Sequence, residues 1–306
     1  MHYILEPFVS PYVLSILIYS GINIILALSL NLVTGFTGQF SIGHAGFMAI
    51  GSYASALLSL FVQKKFPYLF SSFYLAPTFF TILILGGIVS AFFGYLVGLP
   101  SLRLRGDYLA IVTLGFGEII RVLILNIDSI GGARGLTGIP HLTHLGWVSS
   151  FVLITCFVLW RVVHSSHGRA FLSIREDEIA AEAMGVNTTQ NKVKAFVLGA
   201  FFAGIAGGLF AHYLSFLAPS IFDFNRSFEI IIMVVLGGLG SFSGSIFAAI
   251  FLTSSREFLR PLQDLTHIDF RMILYSLMLI ILMLTRPHGL FGSKEFWEFL
   301  KKKRKE

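Results

Sequence analysis

Residues 227–255 read SFEIIIMVVLGGLGSFSGSIFAAIFLTSS, apolar enough to enter a membrane but interrupted at the middle by GGLGSFSG. Each flank is about ten residues, or about 15 Å of helix, whereas the hydrocarbon layer is about 30 Å thick. Irregular backbone at membrane depth persists only where protein or a water-filled cavity satisfies its amides and carbonyls. The stretch therefore reads as a broken or re-entrant segment of an all-α integral membrane protein. A second interrupted stretch, NLVTGFTGQFSIGHAGFMAIG, covers residues 31–51. Interrupted apolar segments in the two halves of a transporter point to its translocation path. The alternative is close helix packing through the glycines, the plainer role expected of Gly204 and Gly208, which follow Ala200 at helical spacing.

Composition agrees with a membrane protein. Of 306 residues, 55% are hydrophobic and 12% charged, and the mean hydropathy is +0.81. Eight apolar segments are expected, near 11–33, 40–62, 73–100, 108–127, 146–163, 193–217, 227–255 and 270–285. The first lacks a basic leader and a small-residue cleavage site, so it reads as a retained span rather than a signal peptide. Lys and Arg gather in residues 164–194, in the link holding Arg103 and Arg105, and in the tail Lys301-Lys302-Lys303-Arg304-Lys305. All three are expected on the cytoplasmic side. The polytopic domain is then 1–292 and the basic cytoplasmic tail 293–306, with the Gly-rich loop 131–140 outside. Three segments follow the central loop, yet both ends of that stretch should be cytoplasmic, which needs an even number of crossings. If 227–255 turns back on itself, parity is restored, and Phe224 and Arg256 lie on one external side.

The central loop 164–194, HSSHGRAFLSIREDEIAAEAMGVNTTQNKVK, is a polar island between apolar segments. Ser173 followed by Glu176 fits a capping box. Glu176, Asp177 and Glu178 suit the positive end of a helix dipole, and Gly185 suits its left-handed stop. These signals predict one rigid helix over Ile174 to Met184 at the cytoplasmic face.

Few intramembrane polar residues compete for a role. Glu118 and Arg121 sit three apart on one helix face, as an internal ion pair or as part of the pathway. Gln39 and His44 lie in the early glycine-rich stretch, while Asn23 and Asn31 belong to the first span, where an amide more often bonds a neighbouring helix. No P-loop, HExxH, CxxC or G-x-S-x-G pattern occurs, and Cys156 is the single cysteine. Neither ATP binding by this chain nor a catalytic or metal centre is expected. His141/His144 and His164/His167 have no accompanying carboxylate or thiolate pattern and read as loop histidines.

Five blocks in order resemble the permease family of branched-chain amino acid ABC importers, over about residues 20 to 292. They are NLVTGFTGQFSIGHAGFMAIGSYASALL, LRGDYLAIVTLGFGEIIRVLILN, GGARGLTGIP, GRAFLSIREDEIAAEAMGVN and MVVLGGLGSFSGSIFAA. The GDYLAIVTLGFGEIIR block and the terminal TRPHGLFG resemble the LivM-type branch. The resemblance implies an inner-membrane permease that binds no cofactor, works with two ATP-binding subunits holding ATP and Mg, and pairs with a LivH-type permease. It also implies a periplasmic or lipid-anchored substrate-binding protein, and no nucleic acid. Its coupling element would contain Gly168, Arg169, Arg175, Glu176, Asp177, Glu182 and Gly185. The interrupted segments and the few intramembrane polar residues make Gln39, His44, Glu118, Arg121, Gly237, Gly238 and Gly240 the candidates for the translocation path. The general permease coupling signature, Glu-Ala-Ala then three residues then Gly, is compressed here to Glu182-Ala183-Met184-Gly185. Urea and short-chain amide importers resemble this group too, and an ion-coupled secondary transporter is the remaining alternative.

Overall fold

A computed structural model describes residues 10–70, 74–102 and 106–266, and beyond them only 276–278, 280, 281, 284, 285, 289, 290 and 292. The described residues contain helices and one isolated antiparallel bridge, Leu136 to Leu217. In order these are α1 (Pro11–Asn31), α2 (His44–Lys65), α3 (Leu75–Ser101), α4 (Asp107–Asn126), α5 (Leu145–Val163), α6 (Ser166–Glu176), α7 (Glu178–Ala183), α8 (Thr188–Leu214), α9 (Phe224–Gly237) and α10 (Phe242–Thr266). Among the described residues, six helices are long and apolar enough to cross a membrane: α1 with its extension to Phe36, α2, α3, α4, α5 and α8. The expected segment 270–285, the Arg103/Arg105 link and the basic tail lie wholly or mostly outside the described residues.

At the centre stands α8, and small residues put it there. Lipid tails are as apolar as leucine, so membrane helices associate through close packing and hydrogen bonds rather than by escaping water. A Cβ on Gly51 of α2 would strike the backbone of Gly204, and one on Gly207 would strike the Met48 carbonyl. On the α3 side Ser90 Oγ lies 2.8 Å from the Ala200 carbonyl and 3.0 Å from that of Phe47, so one hydroxyl serves three helices. The expected packing role of Ala200, Gly204 and Gly208 is what the structure has: Gly208 faces Ser55 and Leu83.

Helix directions follow from these contacts. Gly21 of α1 packs against Val148 at the start of α5, whereas Gly35 lies beside the central loop that follows α5. So α1 runs toward the loop end of the molecule and closes there in a π turn, Leu32–Phe36. The chain then reverses. His44, the first residue of α2, meets Ser29 at 2.8 Å, short of the loop end, and α2 climbs back beside α8.

The second reversal lies within residues 227–255. Near the far end Glu229 of α9 lies 2.9 Å from Arg226 and 3.7 Å from Arg256 of α10. At the other end Gly237 and Gly244 meet backbone to backbone. Residues 227–255 are thus two antiparallel helices and not one crossing. The far ends are held by a buried polar cluster: Arg226 Nη2 donates to Asn23 Oδ1 at 2.7 Å, and Asn23 Nδ2 donates to Thr253 Oγ1 at 2.8 Å.

The central loop corrects the sequence reading. Ile174 to Met184 is not one helix but the end of α6 and all of α7, divided at Asp177 with extended φ −156° and ψ 108°. The cap is Asp177, whose carboxylate accepts from the amides of Ile179 and Ala180 at 2.9 and 3.0 Å. Ser173 lies inside α6 and spends its hydroxyl on the Ala170 carbonyl. The physical reason is upstream. Gly168 lets α6 start against the Val163 carbonyl, and buried Phe171 and Ile174 seat it, so the helix is already running at Ser173. Gly185 does stop α7, at φ +85°, with the Gly185 amide on Glu182 and the Val186 amide on Ala181, a Schellman closure. Lys192 binds Glu178 at 2.6 Å and ties α7 to α8.

Two outcomes check this architecture. In a Cys156→Ser background, Phe224→Cys and Arg256→Cys should both react with an impermeant thiol reagent from one and the same side; opposite sidedness would refute the reversal. Arg226→Ala removes the closer partner of the Glu229 carboxylate and the donor to Asn23, leaving the longer contact to Arg256, and should cost about 3–5 kcal/mol. Arg256→Ala, removing a half-exposed and longer contact, should cost at most about 1 kcal/mol. Melting of the detergent-solubilised permease measures the order of the two.

Candidate functional site: the junction of two broken helices

The two reversals meet. Both α1 and α9 end at the loop side, so each presents its unsatisfied C-terminal carbonyls and the negative end of its dipole there. Asn31, fully buried at the end of α1, holds them together. Its Oδ1 accepts from the Gly240 amide at 2.9 Å. Its Nδ2 donates to the Ser241 carbonyl at 2.9 Å and to Ser245 Oγ at 3.0 Å. One amide side chain therefore replaces the partners that the broken helix α9–α10 has lost. Asn31 is a helix-to-helix bond, as expected of it, but the position it binds is the break itself.

Each break glycine has a specific reason. Gly240 has φ +85°, a region that side-chain-bearing residues avoid. A Cβ there would also lie 2.8 Å from Arg175 Nη1. Gly237 is held by backbone contact with Gly244, and a Cβ on Gly238 would lie 2.5 Å from the Gly292 carbonyl. Leu290 donates its amide to the Leu236 carbonyl at 3.0 Å, so the TRPHGLFG block caps the end of α9. Phe36 and Phe242 close the junction with ring centroids 4.9 Å apart.

From the loop side comes Arg175. Its Nη1 donates to the Gly35 carbonyl at 3.2 Å. Its Nε and Nη2 bind Glu176 Oε1 at 3.1 and 2.7 Å. The Gly38 Cβ position is 3.2 Å from the Arg175 backbone. Of the loop residues grouped by sequence, Arg169, Glu176, Asp177, Glu182 and Gly185 are exposed, Gly168 is buried against α5, and Arg175 alone turns toward the membrane breaks. Ile179 and Met184 are 68% and 84% exposed, two large apolar side chains on an otherwise charged surface.

The path candidates do not all converge. Gln39 is buried in the connection between α1 and α2, and both ends of its side-chain amide lack a partner, as do Thr34 Oγ1 and Ser41 Oγ nearby in sequence. His44 is satisfied by Ser29 in helix packing. Glu118 and Arg121 pair at 2.7 Å within α4, with side chains 36% and 29% exposed, so they lie on a face this chain leaves uncovered and not at the junction. Sequence reading passed over the Arg226–Glu229–Arg256 cluster. Its signal was the i, i+3 spacing of Arg226 and Glu229, the same that drew attention to Glu118 and Arg121. No group of three or more His, Cys, Asp or Glu side chains among the described residues could hold a metal ion.

Comparison with known proteins places this architecture. The profile of the family described as branched-chain amino acid transport system / permease component matches residues 12–283. The high-affinity branched-chain amino acid transport system permease protein LivM of Salmonella typhimurium is 39% identical over 304 residues, covering 88% of this chain and 67% of that protein. LivM of Escherichia coli is 38% identical with the same coverage. A probable LivM of Methanocaldococcus jannaschii is 28% identical, covering 75% of this chain and 76% of its own. No solved structure matches the chain. A helical membrane chain with paired breaks, matched over most of its length by these permeases, belongs to the branched-chain amino acid transport permease family.

Proposed function

We propose that this chain is one of the two membrane permeases of an ATP-driven importer that moves leucine, isoleucine and valine across a bacterial inner membrane. The observation that carries the proposal is the LivM likeness over 88% of the chain. In this reading a LivH-type permease forms the other half, two ATP-binding subunits supply ATP and Mg, and a binding protein delivers the substrate. The central loop and the basic tail face the cytoplasm, where the Lys and Arg surplus favours them.

The loop is the element through which the ATPases act. Its support is chemical. Ile179 and Met184 project into water from a surface also bearing Arg169, Glu176, Asp177 and Glu182. Isolated apolar side chains ringed by charge make buried anchors with a polar rim when a partner covers them. The Schellman closure at Gly185 and the Glu178–Lys192 bridge hold α7 in place, so force applied at the tip reaches α8 without being lost in a flexible loop.

The intact complex, purified and reconstituted, should hydrolyse ATP faster with its binding protein loaded with leucine, isoleucine or valine than with urea or acetamide. Stimulation by urea or the amide alone would reassign the substrate, and uptake that follows a proton gradient at clamped ATP would remove the ATP-driven reading.

The loop assignment has its own check. Gly185→Val forces a β-branched residue into the left-handed region, a local strain of about 1–3 kcal/mol, and Met184→Asp removes an anchor. Both variants should remain in the membrane at normal abundance while uptake falls at least tenfold. Uptake within twofold of the parent in both would show that the tip of the loop does not dock.

A further inference from the structure

We infer that Arg175 is the positioning residue that transmits movement of the aqueous loop to both broken helices at once. The inference rests on the transport reading above and names the physical link inside it. Three contacts of one side chain carry it. Nη1 donates to the Gly35 carbonyl in the π turn that ends α1. The same nitrogen lies 2.8 Å from the position a Cβ on Gly240 would take, close enough to exclude a side chain there, beside the break that ends α9. Nε and Nη2 grip Glu176, a side chain 73% exposed at the aqueous surface.

The chemistry of the position matches these contacts. The ends of α1 and α9 lie side by side, so two negative dipole ends meet there, and the Gly35 carbonyl faces Arg175. A guanidinium fits that spot because it is planar, permanently charged and carries five donors in a fixed fork. One edge of the fork faces the breaks and the other faces the loop surface, with no flexible segment between them. Gly38 and Gly240 leave the room: one packs on the Arg175 backbone, the other on its terminal nitrogen. Asn31 then joins the break at Gly240 and Ser241 to α1, so a displacement of Arg175 is felt at both helix ends. A lysine could supply the charge but could not hold Glu176 and Gly35 through separate edges. No other cation of the loop does this. Lys192 is engaged by Glu178, and Arg169 and Lys194 are exposed.

The experiment uses the whole complex in lipid, with spin labels at Phe40→Cys, in the connection after α1, and Leu239→Cys, within the break after α9, both exposed positions, in the Cys156→Ser background. Inter-label distance is measured with and without vanadate-trapped nucleotide, alongside ATP hydrolysis and leucine uptake, for Arg175, Arg175→Lys and Arg175→Ala. With Arg175 the distance distribution should shift on trapping. With alanine the shift should be lost and uptake should fall at least tenfold, while the ATPase subunits still co-purify and hydrolysis stays within about threefold. Lysine should restore abundance to any variant weakened by lost charge, but not the coupled shift. A full nucleotide-dependent shift in Arg175→Ala, or a proportionate fall of hydrolysis and uptake, overturns the role of Arg175. If the parent itself shows neither nucleotide-dependent shift nor ATP-dependent uptake, the transport reading fails, a result distinct from the first.

Discussion

Hydrocarbon offers no hydrogen bonds, and the rest of this structure depends on how the chain meets that constraint where its helices stop. Four helix ends, those of α1, α2, α9 and α10, occur away from bulk water. Each would leave amides or carbonyls without partners, at several kcal/mol apiece in lipid. The solution is mutual. The end of α1 provides Asn31 for the break after α9, Leu290 returns to cap Leu236, and Arg175 answers the Gly35 carbonyl. A single interrupted segment would have to be satisfied by water. Two interrupted segments placed together can satisfy each other and still yield when pulled apart.

The same economy explains the glycines. Around α8 they shorten the distance between helices, so that serine hydroxyls such as Ser90 reach carbonyls on neighbouring helices. At the junction they do something else, allowing backbone angles and contacts with Arg175 that a side chain would block. Composition alone treats these as one feature. The structure separates glycines that bring helix backbones together from glycines that permit a positive φ or a close contact at the junction.

Much of this was legible in the chain because period and punctuation carry it. Segment 227–255 could not cross once, and parity required it to fold back; the paired Arg226–Glu229–Arg256 contacts show that it does. Gly185 was readable as a stop because its neighbours all favour helix and it does not. The cap of α7 was misread because Ser173 and Asp177 are both good cap residues. The choice between them is made by Phe171 and Ile174 seating α6 against distant helices, and local sequence does not contain that packing. The direction of Arg175 was illegible for the same reason. Among the eight charged residues of the loop nothing distinguishes it until Gly35, Gly38 and Gly240 are brought beside it. Arg226 escaped notice although Asn23, its partner, did not, since an amide within a span draws attention that a charge near a helix start does not.

Order of synthesis gives the junction a further consequence. Asn31 finds its partner at Gly240, 209 residues later, and Asn23 finds Thr253 after 230. At about 5–20 residues per second, the first helix waits roughly 10–50 s after it emerges. Throughout that interval two amides meant for the interior have no internal bond, and the glycine faces of α2 and α3 have no α8 to grip. The early helices must therefore be sheltered by the insertion machinery, by water or by a sister permease until the last third of the chain arrives. A chain that closes its polar interior so late leaves the amides of its first span among the last groups to find their partners.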